Sequence, residues 1–321
     1  MIRFGIVGAG GIAQKFARDI KYSKDASLVA VASRDLKRAK EFGNEFGIEH
    51  AFGSYEEMAK SDLIDAVYIA TPHNFHMEQS ILFMNNKKNV LCEKPIAVNV
   101  EQFEKMVKSA KENNVLLMEA MWTRFLPTTL KVREVVKSGK LGKLKHAYLE
   151  FGFEVMGLGG DKGRLFNINL AGGSLLDMGV YPVAYTLNIT DQNIKSLKAK
   201  ASFYETGIDT ETIVDIVFED DSTVTLLSSF KADRNTPGVV EFEKGTIVID
   251  DFWRSQKVTI NGEEFSYPHL GEGFPYQIDS FVNTLNKGLL ENEVMTHDQT
   301  RQSMVILDEI RRVIGLKYPF E

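Results

Sequence analysis

Ile2-Arg3-Phe4-Gly5-Ile6-Val7-Gly8-Ala9-Gly10-Gly11-Ile12-Ala13 reads as a short apolar strand, a glycine-rich turn and the opening of a helix. That order gives the pattern G-x-G-x-x-G/A its meaning, because a strand must deliver the turn to a helix N-terminus for the glycines to face an anion. Gly8 permits the tight turn, Gly10 lets the main chain come close to a pyrophosphate, and Ala13 keeps the helix near the sheet. Gly11 and Ile12 begin that helix, whose first N–H groups are oriented for a phosphate. The string predicts a dinucleotide-binding β-α-β unit with Gly8, Gly10, Gly11 and Ile12 against the cofactor. The plainer alternative is a glycine-rich turn that binds nothing.

Working outward, short apolar runs alternate with helical stretches as far as Ala120: Ile2 to Val7, Leu28 to Ala32, Ala66 to Ala70, Val90 to Cys92 and Val115 to Met118. Between them, Leu36 to Phe46, His76 to Asn86 and Val100 to Asn113 space their apolar residues by three and four. This predicts an α/β fold, an N-terminal Rossmann doubly wound parallel sheet with right-handed crossovers. After Ala120 the runs Lys143 to Phe153, Ile194 to Tyr204, Thr212 to Phe218, Thr223 to Phe230, Val239 to Phe242, Thr246 to Ile249 and Lys257 to Ile260 have almost no helix between them. Links such as Glu219-Asp220-Asp221-Ser222 and Asn261-Gly262 are turn chemistry and imply antiparallel pairing. Two helices, Tyr276 to Asn286 and Asp298 to Ile314, close the chain, the second with Thr296 as its N-cap and Gly315 behind it. The expected organisation is a dinucleotide-binding domain over 1–122 and an α+β domain with an open, mostly antiparallel sheet over 123–321.

About twenty residues past the glycine turn, where a carboxylate would hold the ribose hydroxyls of NAD, the chain reads Ser33-Arg34-Asp35. A guanidinium there can stack on adenine and grip a 2′-phosphate, with Ser33 and Arg38 as further donors, and the reading favours NADP. NAD remains the alternative if Asp35 takes the ribose.

Thirty-eight basic and forty-four acidic residues among 321 give a formal charge of −6, which offers no bulk positive field for nucleic acid. No apolar run approaches the ~18 residues of a membrane span. A single cysteine, Cys92, and an opening stretch that starts a strand instead of a basic leader predict a cytoplasmic protein. Cys92 ends an apolar strand and reads as buried filling. His73 and His76 have H-x-x-H spacing without a completing carboxylate or cysteine set, so no metal is expected.

Three strings carry a resemblance: Thr71-Pro72-His73-Asn74-Phe75-His76 and Glu93-Lys94-Pro95, each after a strand of the first domain, and Gly172-Gly173-Ser174-Leu175-Leu176-Asp177-Met178-Gly179-Val180-Tyr181-Pro182. With the glycine turn they make the chain similar to the glucose-fructose oxidoreductase, inositol dehydrogenase and rhizopine-catabolism (Gfo/Idh/MocA) family over its whole length. Tyr181 stands where many members have histidine. That residue, and Glu119-Ala120-Met121-Trp122-Thr123-Arg124-Phe125-Leu126-Pro127, resemble the dimeric dihydrodiol dehydrogenase and NADP-dependent xylose dehydrogenase branch. The resemblance implies NAD(P)-dependent hydride transfer at a CH–OH or C=O group of a small polyhydroxylated substrate, a sugar, polyol or cyclic diol. It also implies a homodimer or higher homo-oligomer through the second sheet and a cis peptide before Pro95. Family members that bind dinucleotide without turnover supply the competing reading, a regulatory protein.

Such chemistry needs a proton donor and acceptor at the substrate oxygen. Lys94 and Tyr181 are the candidates: a lysine near a cationic ring releases its proton more readily, and a nearby cation favours tyrosinate. Lys94 is expected to polarise the oxygen and Tyr181 to relay its proton, with Asp177 orienting them or binding a neighbouring hydroxyl. Which of the two is proximal stays open. Thr71, Pro72, His76, Glu93, Lys94, Trp122 and Arg124 are expected along the cofactor, although Trp122 fits ordinary core equally well.

Overall fold

The computed structural model describes residues 1–157, 163–234 and 237–321. Its chain divides into two compact units, Met1–Trp122 with His269–Arg301, and Thr123–Pro268 with Gln302–Glu321.

In the first unit β1 (Ile2–Val7), β2 (Ala26–Ala32), β3 (His50–Phe52), β4 (Ala66–Ile69), β5 (Asn89–Glu93) and β6 (Leu117–Ala120) alternate with α1 (Gly11–Asp19), α2 (Leu36–Phe46), α3 (Tyr55–Lys60), α4 (His76–Asn85) and α5 (Val100–Asn113). The strands are continuous apolar runs because helices cover both faces; Phe4, Ile6, Val7, Val31, Val67, Ile69 and Leu91 are all fully buried. Every neighbouring pair is parallel, and the order is β3-β2-β1-β4-β5-β6. Progression reverses between β1 and β4, so the loops leaving the carboxyl ends of those two adjacent strands flank the point where open α/β sheets bind ligands. Local chemistry sets the helix ends. Asp35 caps α2 by accepting from the Lys37 N–H at 2.8 Å, and Asn99 caps α5 by accepting from Gln102 N–H at 2.9 Å.

The second unit begins with α6 (Pro127–Lys137) and β7 (Leu144–Gly152), continues through α7 (Val180–Ile189), and then builds β8 (Ile194–Phe203), β9 (Asp209–Phe218), β10 (Thr223–Ser229), β11 (Gly238–Phe242), β12 (Gly245–Ile249), β13 (Lys257–Ile260) and β14 (Glu263–Ser266). The order is β14-β13-β12-β11-β7-β10-β9-β8, antiparallel throughout except for the parallel pair β7 and β10. Ala147, Leu149, Val214, Ile216, Leu226, Val240, Ile247 and Val258 form its buried face, while Tyr148, Val239, Val248 and Thr259 lie side by side on the other, partly exposed. The β13–β14 turn uses Asn261 at φ 50° and Gly262 at φ 85°, the paired positive φ of a tight hairpin.

Two features depart from the sequence reading. Helix α7 occupies a stretch expected to be nearly helix-free, while α6 lies before the first of the strand runs, where no element was assigned. Nine of ten residues of α7 are buried, so it has no polar face and no amphipathic period to detect. The second domain also does not run unbroken to the C-terminus. His269–Arg301, which holds α8 (Pro275–Asn286), belongs to the first unit, while α9 (His297–Ile314) begins in the first and continues into the second. Phe281 of α8 packs against Phe4 of β1 with ring centroids 5.6 Å apart, and the Asp19 carboxylate accepts the Glu272 and Phe274 N–H groups at 2.8 and 3.2 Å. Long-range packing of this kind is invisible to local pattern.

The ends of α9 match the expected chemistry. The Thr296 hydroxyl accepts from the Gln299 N–H and the Gln299 side chain accepts from the Thr296 N–H, both at 3.2 Å, a reciprocal cap. Gly315 has φ 76°, and Leu316 N–H returns to the Arg311 carbonyl at 2.9 Å. Among the described residues no helix is long and apolar enough to cross a membrane.

Because Phe281 is fully buried against β1, Phe281→Ala should cost about 3–5 kcal/mol. A urea unfolding midpoint equal to wild type would contradict the assignment of α8 to the first unit.

Candidate active site

Gly8 has φ 98°, and a Cβ there would stand 3.0 Å from the Ala70 carbonyl oxygen and 3.2 Å from Thr71 Cγ2. The turn after β1 therefore lies against the loop after β4, and only glycine fits at the contact. Gly10 and Gly11 differ: an added Cβ at either meets nothing within 4 Å. Gly10 is the N-cap of α1 without a side-chain cap, and the first turn holds no acidic residue. The first N–H groups of α1 are thus left to an outside acceptor, and the open space at Gly10 and Gly11 fits a pyrophosphate. Ala13, wholly buried, seats α1 on the sheet.

Arg38 reaches from α2 to the same turn, donating to the Ala9 carbonyl at 3.4 Å. The Arg34 guanidinium lies over the Phe75 ring, 5.7 Å from its centroid. The Ser33 hydroxyl accepts from the Asp35 N–H at 3.3 Å. Tyr55 completes this cationic end; burial pushes its hydroxyl upward, against the pull of Arg34 and Arg38. The Asp35 carboxylate has a structural task as the α2 cap.

Past β4 and β5, His76 is fully buried, with Nε2 2.8 Å from the Thr71 carbonyl oxygen and Nδ1 2.9 Å from that of Pro95. Thr71 also donates its hydroxyl to Gln79 at 2.5 Å. Glu93 and Lys94 are both buried, at 5% and 9% exposure. The Glu93 carboxylate accepts from the Tyr68 hydroxyl and, at 3.2 Å, from the Lys94 N–H. The Lys94–Pro95 peptide is cis. Ile96 N–H donates to Glu119 at 3.1 Å, and Glu119 accepts the Thr300 hydroxyl at 3.1 Å. The segment carrying Lys94 is thereby held by His76 and Glu119.

Trp122 is buried in a stack with Phe274, centroids 5.4 Å apart, and meets His269 edge-on at 6.4 Å. Cys92 is wholly buried, and burial raises its thiol well above the ordinary value. Among the described residues no group of three or more potential ligands could hold a metal ion.

In the second unit, Leu175–Gly179 forms one π-helical turn that runs directly into α7. Tyr181 sits at the start of α7, edge-on to Phe151 at 5.2 Å and to Trp253 at 6.3 Å, while Phe151 and Trp253 stack at 4.6 Å. This aromatic cage fixes the ring orientation and leaves Tyr181 7% exposed. Asp177 accepts from Arg164 at 2.9 Å. Arg124 is almost wholly buried, and the neighbouring Thr123 hydroxyl donates to the Trp253 carbonyl at 2.6 Å.

The fold thus brings Gly8, Gly10, Gly11, Ile12, Ser33, Arg34, Arg38, Thr71, Pro72, His76, Glu93 and Lys94 to the carboxyl ends of one sheet. Asp177, Tyr181 and Arg124 belong to the other unit. Sequence reading passed over Phe75, Tyr55, Arg164, Phe151 and Trp253. Phe75 lies inside a quoted string, but nothing local marks it as the partner of Arg34, and the cage around Tyr181 joins strands and turns far apart in the chain.

Comparison with known proteins agrees with this architecture. The model of the oxidoreductase family with an NAD-binding Rossmann fold matches residues 2–121, and that of the GFO/IDH/MocA C-terminal domain matches residues 129–264. The chain is 35% identical over 331 residues to trans-1,2-dihydrobenzene-1,2-diol dehydrogenase of Mus musculus, covering 99% of this chain and 98% of the relative. It is 35% identical over 326 residues to scyllo-inositol 2-dehydrogenase (NADP(+)) of Bacillus subtilis, covering 99% of both. The structure superposes on aldose-aldose oxidoreductase from Caulobacter crescentus complexed with glycerol, with a TM-score of 0.87, 21% identity and coverage of 98% and 97%, which shows a common fold. Two domain models in tandem and full-length relatives at this identity place the chain in the Gfo/Idh/MocA oxidoreductase family.

Proposed function

We propose that this oxidoreductase uses NADP to interconvert CH–OH and C=O on a small polyhydroxylated substrate, a sugar, inositol or cyclic trans-diol. The observation that carries the coenzyme reading is the cationic end of the turn, where Arg34 lies over Phe75 and Arg38 donates to the Ala9 carbonyl, two guanidiniums suited to a 2′-phosphate, while Asp35 is engaged in capping. The names of two relatives, an NADP-dependent inositol dehydrogenase and a cyclic diol dehydrogenase, support the substrate class.

A bound nicotinamide dinucleotide supplies the site that accepts or gives hydride. Gly8, Gly10, Gly11 and Ile12 would hold its pyrophosphate, Ser33, Arg34 and Arg38 its 2′-phosphate, and Thr71, Pro72, His76 and Glu93 its nicotinamide end, with Trp122 and Arg124 as further contacts. Oxidation of CH–OH also releases a proton from oxygen, and the chain must take it; reduction requires the reverse. Lys94, on a buried segment tied by His76 and Glu119, polarises the reacting oxygen. Tyr181, its ring fixed by Phe151 and Trp253, relays the proton. Asp177 with Arg164 binds a neighbouring hydroxyl or orients these groups.

The single buried cysteine is consistent with a reducing cytoplasm. We also infer a homodimer through the partly exposed face of the second sheet, where Ile213, Tyr148, Val239 and Val248 present apolar surface. Sedimentation should give a dimer for wild type and a monomer for Ile213→Lys with Val248→Lys. A monomeric wild type contradicts this assembly.

Removing a positioned acid or base lowers the rate by about two to four orders of magnitude, so Lys94→Met and Tyr181→Phe should each do so in single-turnover hydride transfer. Near-normal rates in both would remove the mechanism. Tight NADPH binding without turnover on any aldose, inositol, diol or dicarbonyl would favour a regulatory protein instead.

Arg34→Ala should weaken NADP binding about ten- to a hundredfold at low salt, the usual worth of a charge-assisted contact, and leave NAD binding nearly unchanged. Equal affinity of wild type for NAD and NADP, measured by titration, would defeat the 2′-phosphate assignment.

A further inference from the structure

Asp209, the first residue of β9, is a wholly buried carboxyl that the proposed mechanism does not use. One of its oxygens, Oδ2, gathers three donors: the Ser174 hydroxyl at 2.6 Å, the Leu175 N–H at 2.8 Å and the Thr212 hydroxyl at 2.9 Å. Oδ1 has no hydrogen-bond partner among the described residues and is pressed against Gly173, where any Cβ would overlap it. Gly173 has φ 121°, a conformation other residues rarely adopt, so the carboxyl and the glycine are matched to one another. On the neighbouring residue, the buried Tyr318 hydroxyl donates to the Gly172 carbonyl at 2.9 Å. Tyr318 is itself braced by the Arg311 guanidinium 5.3 Å from its ring centroid, and Arg311 grips Glu321 at 2.6 and 2.9 Å.

These contacts converge on Gly172-Gly173-Ser174-Leu175, the residues that launch the π-helical turn Leu175–Gly179 and, through it, α7. Asp177 lies on that turn and Tyr181 on the first turn of α7. A helix start leaves its first N–H groups unsatisfied, and here the Leu175 N–H is met by a carboxylate 34 residues away instead of by a local cap. We propose that Asp209 is a positioning residue: by anchoring Ser174 and Leu175 against Gly173 it sets the register in which the π-helical turn presents Asp177 and Tyr181. The proposal rests on the reading that Asp177 and Tyr181 take part in the chemistry. It explains the paired glycines physically, since Gly173 must yield space to Asp209, and an added Cβ at Gly172 would collide with the Leu165 and Arg164 carbonyls.

The test compares full-length wild type, Asp209→Asn, Asp209→Ala and Val224→Ala, the last a deletion at a fully buried position of β10 that serves as a stability control. The probe substrate is whichever of scyllo-inositol, D-xylose and a trans-diol gives the highest wild-type turnover with NADP. Asp209→Ala should lose tenfold or more in kcat per folded protein while NADPH affinity stays within about twofold, because the carboxyl removed lies outside the dinucleotide-binding unit. Asp209→Asn, which keeps an oxygen acceptor, should recover most of that loss, and Val224→Ala should lower stability without lowering kcat. In parallel, 3-fluorotyrosine at position 181 gives a 19F resonance that Asp209→Ala should shift or broaden and that Asp209→Asn and Val224→Ala should leave in place. A wild-type 19F signal in Asp209→Ala overturns the inference whether or not any substrate turns over. Absence of turnover in wild type counts against the proposed function alone. If Asp209→Ala does not fold, Ser174→Ala deletes one of the three donors and is expected to show the same pattern at smaller size; wild-type kcat and signal there would equally contradict it.

Discussion

One buried imidazole holds the loops of the dinucleotide-binding sheet together. His76 stands between the carbonyl oxygens of Thr71 and Pro95, at 2.8 and 2.9 Å. A ring nitrogen binds a carbonyl only when it carries a hydrogen, so both contacts are hydrogen bonds at once only in the doubly protonated ring. The Pro95 carbonyl and the Thr71 carbonyl of the loop that presses on Gly8 thus face the same ring, and Lys94 is the residue immediately before Pro95. Placement of the glycine turn, the Thr71-Pro72 loop and Lys94 therefore forms one connected set of contacts. Glu119 closes the set from β6 by accepting the Ile96 N–H.

A second regularity is the pairing of buried carboxyls with glycines. Asp209 presses on Gly173 in one unit, and in the other Asp19 presses on Gly271 while accepting N–H groups of the same loop. Burial raises both carboxyls above the ordinary range, and hydrogen bonds from backbone or hydroxyl donors oppose it. In each case the carboxyl replaces a local cap or turn with a long-range one. Asp19 thereby fixes the loop whose Phe274 stacks on Trp122, and Asp209 fixes the turn that precedes Tyr181.

Legibility in the sequence followed the range of the interaction. Five of the six strands of the first sheet could be read because strands buried on both faces are continuous apolar runs, whereas β3 is three half-buried residues at the edge; the glycine turn, Thr296 and Gly315 could be read because they act within a few residues of themselves. The hairpin at Asn261-Gly262 was readable for the same reason, although β14 behind it, polar and exposed, was not. Helix α7 was missed since a helix buried on all sides has no periodicity. The return of α8 to β1 depends on Phe281 meeting Phe4 across most of the chain, and no local signal reports that. Among site residues, Lys94 and Tyr181 were singled out through the strings around them, whereas Asp209 sits in Ile208-Asp209-Thr210, which carries no mark of the turn it anchors.

The proposed mechanism requires Lys94 and Tyr181 to take part in one proton transfer. A double-mutant cycle in single-turnover hydride transfer measures this directly, because groups that act as a unit lose their effects together. Lys94→Met with Tyr181→Phe is expected to be about as slow as the slower single variant. Losses that simply multiply would show that the two side chains serve separate steps, and would contradict the mechanism.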